Sequence, residues 1–336
     1  MFVSRLRPLC RLVAATAVAF GMHSTAAVAQ SVDDFPERPL TYVVTVPPGG
    51  AADLVGRAFA QGIAEKLGQP VVVENKAGAS GTVATSFVAR SKPDGYTLLN
   101  GAISTHGIGP HFFESLPLPY DAMKDFQTLG VIAEFPLILA VRTDLPVKNV
   151  NDLIELAKKE PGKIKFASAG VGSAPHLTAE LLMKEAGIEM LHVPYKGSAP
   201  AVREVMSGEV DLMFDGLPSL STGLKSGHLR PIAAVSTKRN SAYPGVPTFT
   251  EAGFPNMVAS LWYIPMVPAA TPAPIVDKLN KALVSSMQGS KAEKALQDSG
   301  AVTVYTTPDK TQEFIKKEYA KWGKVIKDAG VTTTKQ

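Results

Sequence analysis

Short apolar runs alternate with amphipathic stretches along most of the chain. Leu40 to Val46 is apolar and rich in β-branched residues and ends at Pro47-Pro48-Gly49-Gly50, so it reads as a strand running into a turn. From Asp53 to Leu67 the residues Val55, Phe59, Ile63 and Leu67 recur at every fourth position. Gly68 then stands where a helix end takes a left-handed residue, so the spacing predicts a helix. The cycle repeats with a strand at Val71 to Glu74, a helix over 81–90, a Pro93-Asp94-Gly95 turn and a strand from Tyr96 to Asn100.

A second set of elements follows a long apolar stretch, Leu129 to Val141. Helices are predicted over 150–159, 176–186 and 199–206, and strands over 164–167, 190–193 and 210–214. Such alternation predicts parallel sheets with helices on both faces, hence an α/β fold. After Leu229 to Val235 comes a loop-rich segment and then an apolar strand, Leu261 to Val267. The stretches 129–141 and 259–268 bracket the central βα units and are expected to cross between two lobes as a hinge. Thr271-Pro272 and Thr307-Pro308 each offer a capping hydroxyl before a helix-starting proline. The stripes Ile275, Leu279, Leu283, Met287 and Ile315, Tyr319, Trp322, Ile326 predict two C-terminal helices.

Charge changes this picture only at the N-terminus. Arg5, Arg7 and Arg11 precede or open an apolar run, Leu12 to Met22, that is followed by Ala27-Val28-Ala29, with no acidic residue before Asp33. This is the pattern of an export signal, and cleavage is expected after Ala29. The run is about half the roughly 20 residues a spanning helix needs. Loss of those three arginines from 34 basic residues leaves 31 against 30 acidic ones, so the apparent basicity belongs to the leader. The remaining lysines are scattered and give no nucleic-acid footprint. Cys10, the one cysteine, lies within the leader, so the exported chain carries no disulfide. The remaining length suits two lobes.

Two loops offer anion sites. Pro47 to Asp53 places glycines against a helix start, where unpaired N–H groups accept an anion, although Asp53 could equally serve its own helix. Ser168-Ala169-Gly170-Val171-Gly172-Ser173-Ala174-Pro175 also opens a helix after a strand; it half-matches a dinucleotide fingerprint, but Pro175 stands where close packing needs glycine. Loops ending in Tyr195-Lys196-Gly197 and Asp215-Gly216 lie at strand ends, where open α/β sheets bind ligands. No Walker loop, nucleophile elbow or H-E-x-x-H occurs, and the histidines have no metal-ligand spacing. No cofactor and no metal are expected.

The ordered blocks Val46-Pro47-Pro48-Gly49-Gly50 with Asp53, Leu67 to Asn75, Pro93 to Leu98, Phe166 to Gly170 with His176, His192 to Gly197, Val210 to Asp215 and Val246-Pro247-Thr248 with Glu251-Ala252-Gly253 span nearly the whole chain after the leader. In them the chain resembles the Bordetella-uptake family, the extracytoplasmic binding proteins of tripartite tricarboxylate transporters. The resemblance implies a two-lobed periplasmic binding protein of the Venus-flytrap type, a non-enzymatic monomer that hands a small carboxylate to membrane permease subunits. Lobe I is expected over 30–135 and 258–336, lobe II over 136–257. Gly49, Gly50 and Ala51 with Ser104, Thr105 and His106 are expected to hold one end of the anion, and Ser168, Ala169, Gly172, Ser173, Tyr195, Gly197 and Asp215 to close from lobe II. Thr45-Val46, Ala102-Ile103 and Gly216 depart from the family pattern, and Ala102, Ile103 and Gly216 stand where it implies hydroxyl or amide side chains, which favours an aromatic acid or an aliphatic dicarboxylate over citrate or tartrate. A sensor subunit for a histidine kinase and an exported hydrolase or lyase are the rival readings.

Overall fold

The computed structural model describes residues 34–113 and 118–331; the expected leader, its expected cleavage point and Cys10 lie outside the described residues. In chain order the elements are β1 (Leu40–Val44), α1 (Ala51–Leu67), β2 (Val71–Asn75), α2 (Thr82–Ala89), β3 (Thr97–Ala102), a π-helical turn (Ile103–Ile108), α3 (Gly109–Phe112), β4 (Phe126–Thr128) and β5 (Val131–Arg142). Then follow α4 (Val150–Lys159), β6 (Lys165–Ser168), α5 (Ala174–Ala186), β7 (Leu191–Pro194), α6 (Ser198–Ser207), β8 (Leu212–Gly216), α7 (Leu217–Lys225) and β9 (Leu229–Ala234). The chain closes with β10 (Ser260–Pro268), α8 (Ala273–Met287), α9 (Lys291–Asp298), β11 (Val302–Tyr305) and α10 (Pro308–Ala329).

The strands form a continuous sheet in the order β2-β1-β3-β10-β5-β8-β6-β7, and β5 divides it. Its first half pairs with β10 and β11, Val131 to Pro136, and its second half with β8 and β9, Leu137 to Arg142. The return passage is as abrupt: Ala259 bonds to Val235 and Leu137 on the second side, whereas Ser260 already faces Pro136 on the first. The two expected crossing stretches therefore join two α/β lobes. Within each lobe the predicted parallel pairs are present, β1 with β2 and β3, and β6 with β7 and β8. The crossing strands pair antiparallel instead, because a chain that leaves a sheet and returns runs back along it.

Local chemistry accounts for the element ends. Val55, Phe59 and Ile63 are buried on one face of α1, at roughly 1.5–3 kcal/mol each, and Gly68 ends the helix at φ 67°, donating to Ala64. Thr307 caps α10 by accepting from the N–H of Lys310. Thr271 does not cap α8; Pro272 is the residue before that helix, and the Thr271 hydroxyl is buried without a partner. Trp262 and Trp322 are the largest fully buried side chains and fix α10 against β10.

Candidate functional site

A cavity of about 450 Å³ opens where the strand ends of the two lobes face each other. From the first lobe it is lined by Thr45 to Pro47 after β1, by Ala77 to Gly81 after β2, and by Ala102, Ile103 and Ser104 after β3. From the second it is lined by Ala169 and Gly172 to Pro175, by Ser198 at the start of α6 and by Asp215 at the end of β8, while Leu261 and Tyr263 of β10 lie between. No lysine, arginine or histidine stands among these lining residues. Among the described residues no group of three metal-ligating side chains gathers.

The loop after β1 is held from behind. Asp53 is buried and its Oδ2 accepts the N–H of Gly49 and the Nε of Arg57, each at 3.0 Å, while Asn75 Nδ2 donates to Oδ1 at 2.9 Å and to the Val46 carbonyl at 3.0 Å. Burial alone would raise the carboxyl; the hydrogen bonds from Arg57, Asn75 and Gly49 outweigh it and hold the pKa below the usual aspartate value. Asp53 therefore serves its own loop and helix start. Gly49 and Gly50 are exposed, and they and Ala51 lie outside the lining.

The next loop carries backbone strain. Gly78, Ala79, Ser80 and Gly81 have φ of 140°, 45°, 54° and 91°, and Ala79 and Ser80 are the two non-glycine residues at positive φ among the described residues. Such conformations cost on the order of 1–3 kcal/mol each and persist where the surroundings enforce them, often at ligand clamps. A Cβ on Gly81 would lie 2.7 Å from Cγ2 of Thr105, so only glycine lets this loop close on the π-helical turn. Sequence reasoning missed this loop. Its one signal was a run of small residues, Ala77 to Gly81, directly after a strand.

In the π-helical turn Ser104 and Ile103 face the cavity, whereas Thr105 and His106 face the core. Thr105 Oγ1 accepts the N–H of Ala102 at 3.2 Å and bonds Nδ1 of His106 at 2.8 Å, and Tyr120 donates its hydroxyl to the Thr105 carbonyl at 2.9 Å. His106 is fully buried against Phe126. Burial drives its pKa down to about 3, so the ring stays neutral.

On the second lobe, Ser173 caps α5 by accepting the N–H of His176, whose Nδ1 in turn accepts the N–H of Gly172 at 3.1 Å. That acceptor role leaves the proton on Nε2, which faces Glu180 at 3.3 Å. His176 stacks on His192 with ring centroids 3.8 Å apart, and His192 bonds Ser168 Oγ at 2.7 Å. Burial first, and the neighbouring His176 second, pull His192 down to about 3. Ser168 thus stands one layer behind the lining with Thr105 and His106, while Tyr195 and Gly197 lie outside it. Ser104, Ala169, Gly172, Ser173 and Asp215 are brought together on the cavity wall.

Asp215 is fully buried. Its Oδ1 accepts the N–H of Gly216 at 2.7 Å; Oδ2 has no partner in hydrogen-bond geometry, though the hydroxyls of Ser198 and Ser219 stand close enough to favour the ionised form. Burial dominates and pushes the pKa up to about 6. The facing Tyr263 phenol is raised by burial and then by the charge of Asp215, so it remains a neutral donor. The site can therefore supply backbone N–H groups, hydroxyls and apolar surface, with one acid at its inner wall.

Among the solved structures that the chain resembles are a periplasmic transporter, at 37% identity, and the periplasmic binding protein BugD, at 34%. The chain is similar to BugT of Bordetella pertussis strain Tohama I, 36% identical over 89% of this chain and 92% of that protein. It is similar to R. palustris Rpa4515, solved with adipate, at 36% identity and a TM-score of 0.79 over 89% of this chain and 99% of that one. It is similar to MatC from Rhodopseudomonas palustris with bound malate, at 32% identity and a TM-score of 0.74 over 87% and 100%. The model of the tripartite tricarboxylate transporter family receptor matches residues 55–331, and with this match over most of its length the chain belongs to that receptor family.

Proposed function

We propose that this protein is an exported receptor that captures a small dicarboxylate in the interlobe cavity and delivers it, unconverted, to the membrane subunits of a tripartite transporter. The observation that carries the reading is the composition of the cavity wall, in which hydroxyls of Ser104, Ser173 and Ser198 stand among Val46, Ile103, Ile108 and Leu261, with no cation. A buried carboxylate needs hydrogen bonds more than it needs a counter-charge at each oxygen, and charge-assisted bonds contribute about 1.5–3 kcal/mol each.

The apolar surface of Ile103 and Ala102 favours a plain aliphatic acid such as the adipate of Rpa4515 over a heavily hydroxylated one such as citrate. In this reading the lobes are 30–135 with 258–336 and 136–257, export removes residues 1–29, and the receptor acts as a monomer. A thermal-shift series tests it, because a ligand at 100 times its Kd stabilises the folded state by ~2.7 kcal/mol. Adipate should raise the melting temperature more than citrate does. No shift with any dicarboxylate, or a larger shift with citrate, would count against it.

A further inference from the structure

The one ionisable acid on the cavity wall has the same sign of charge as the expected guest. Asp215 projects from β8 with Oδ1 satisfied by Gly216 and Oδ2 unpartnered, and it is fully buried. Two carboxylates sharing a water-poor site cannot both stay ionised at little cost, since each destabilises the charge of the other. A cation could relieve this, and the surroundings of Asp215 offer none.

Its partners in the sheet are apolar: Ile138 of β5 faces it directly, and β6 presents Ala167 beside Met213. From α6 comes Ser198, from α7 Ser219, and from β10 the phenol of Tyr263. The charged side chains of these helices point elsewhere: Arg203 of α6 and Lys225 of α7 are exposed, and the charge of Glu204 acts on Tyr195. His176 and His192 pack with Phe166, which joins Phe214 in the core on the other face of β8; Asp215 belongs to the face of Met213.

We propose that the receptor binds its carboxylate together with one proton, held between Oδ2 of Asp215 and a carboxylate oxygen of the ligand, which ties capture to the pH of the surrounding compartment. This rests on the carboxylate-receptor reading above. The proton comes from solvent when the ligand enters and returns to solvent when it leaves; no other bond changes. Burial already raises the acid to about 6 before a ligand arrives, and the charge of the ligand raises it much further. The shared hydrogen bond would satisfy Oδ2 and turn the one repulsive group in the cavity into a selective donor for a carboxylate end group.

Calorimetry with adipate and malate as probes tests this between about pH 6.5 and 8.5, where both acids are ionised. The affinity should fall by about ten-fold per pH unit, with about one proton taken up per ligand, read from the difference in heat between buffers of unlike ionisation enthalpy. Asp215→Asn should lose both the slope and the uptake, whatever affinity it retains. Wild-type binding with no slope and no uptake overturns the inference alone, as would occur if a ligand hydroxyl or a water satisfied Oδ2. The same slope in Asp215→Asn also overturns it. Failure of every dicarboxylate to bind at any pH overturns the receptor reading and the inference with it.

Discussion

Trp262 of β10 and Glu318 of α10 are joined by a hydrogen bond of 3.0 Å, and Trp322 donates to the same carboxylate oxygen at the same distance. Lys321 bonds the other oxygen and also reaches the Val258 carbonyl, just ahead of the return crossing. One buried carboxylate thereby ties the last helix to the strand that runs beside β5. Glu318→Leu should leave two buried indole N–H groups unsatisfied, at about 1–3 kcal/mol each. We expect a loss of roughly 2–5 kcal/mol in urea unfolding, with a clearly smaller loss for Glu318→Gln, which keeps an acceptor. Equal losses would show that packing, and not the shared acceptor, holds the helix.

Acid should weaken the fold through His106. Its folded pKa of about 3 lies below the ordinary 6.5, so the unfolded chain binds the extra proton between those values. The contribution is complete above about pH 6.5 and is lost as pH falls towards 3, up to ~4–5 kcal/mol at 1.36 kcal/mol per unit. His106→Asn keeps a polar atom near the position of Nδ1 beside Thr105 and cannot take up a proton. Its stability difference between about pH 7 and pH 4 should be several kcal/mol smaller than that of the wild type, a comparison in which any packing cost cancels.

Much of this architecture could be read along the chain because it is locally written. The four-residue spacing of α1, the bounds of α4, the Thr307 cap of α10 and the βα alternation of the second lobe all appear within a few residues of their predicted places. Elements whose stability comes from distant partners were not legible. β11 is a short strand that exists because β5 offers it an edge, and α9 is a charged helix with one buried leucine. The strained loop at Ala79 and Ser80 defies the conformational preference of its own residues, so no local rule proposes it. Asp215 could be placed at a strand end from sequence, but its burial and unpartnered oxygen depend on β5, β10, α6 and α7 together.

Gly172 shows how closely the two walls of the cavity approach. A Cβ there would stand 2.6 Å from the ring of Phe112 on α3, and the residue sits at φ 75°. Gly172→Ala should therefore lower dicarboxylate affinity ten-fold or more, by forcing the loop away from α3 and by left-handed strain of ~1–2 kcal/mol. Phe112→Ala in the same chain should restore the part due to the clash and leave the strain. A double-mutant cycle separates the two, and strict additivity would mean that the loop and the ring do not meet in the bound state.

Asp215 should oppose His106 in its effect on stability, and the sign separates them. The folded-state value of about 6 lies above the ordinary 3.8, so between these values the folded protein binds more protons than the unfolded chain. Its contribution is complete below about pH 3.8, declines as pH rises to about 6 and stays lost above, to an extent of ~3 kcal/mol. Asp215→Asn carries no charge at any pH. It should melt several degrees higher than the wild type at about pH 8 and level with it at about pH 4, where the wild-type acid is protonated. A residue that destabilises its own fold at neutral pH is expected where function requires it. Melting curves of both proteins, without ligand, decide the point. If the asparagine variant is no more stable at pH 8 than at pH 4 relative to wild type, Ser198 and Ser219 already hold the carboxylate ionised, and the acid is an anchor of the loop instead of a poised donor.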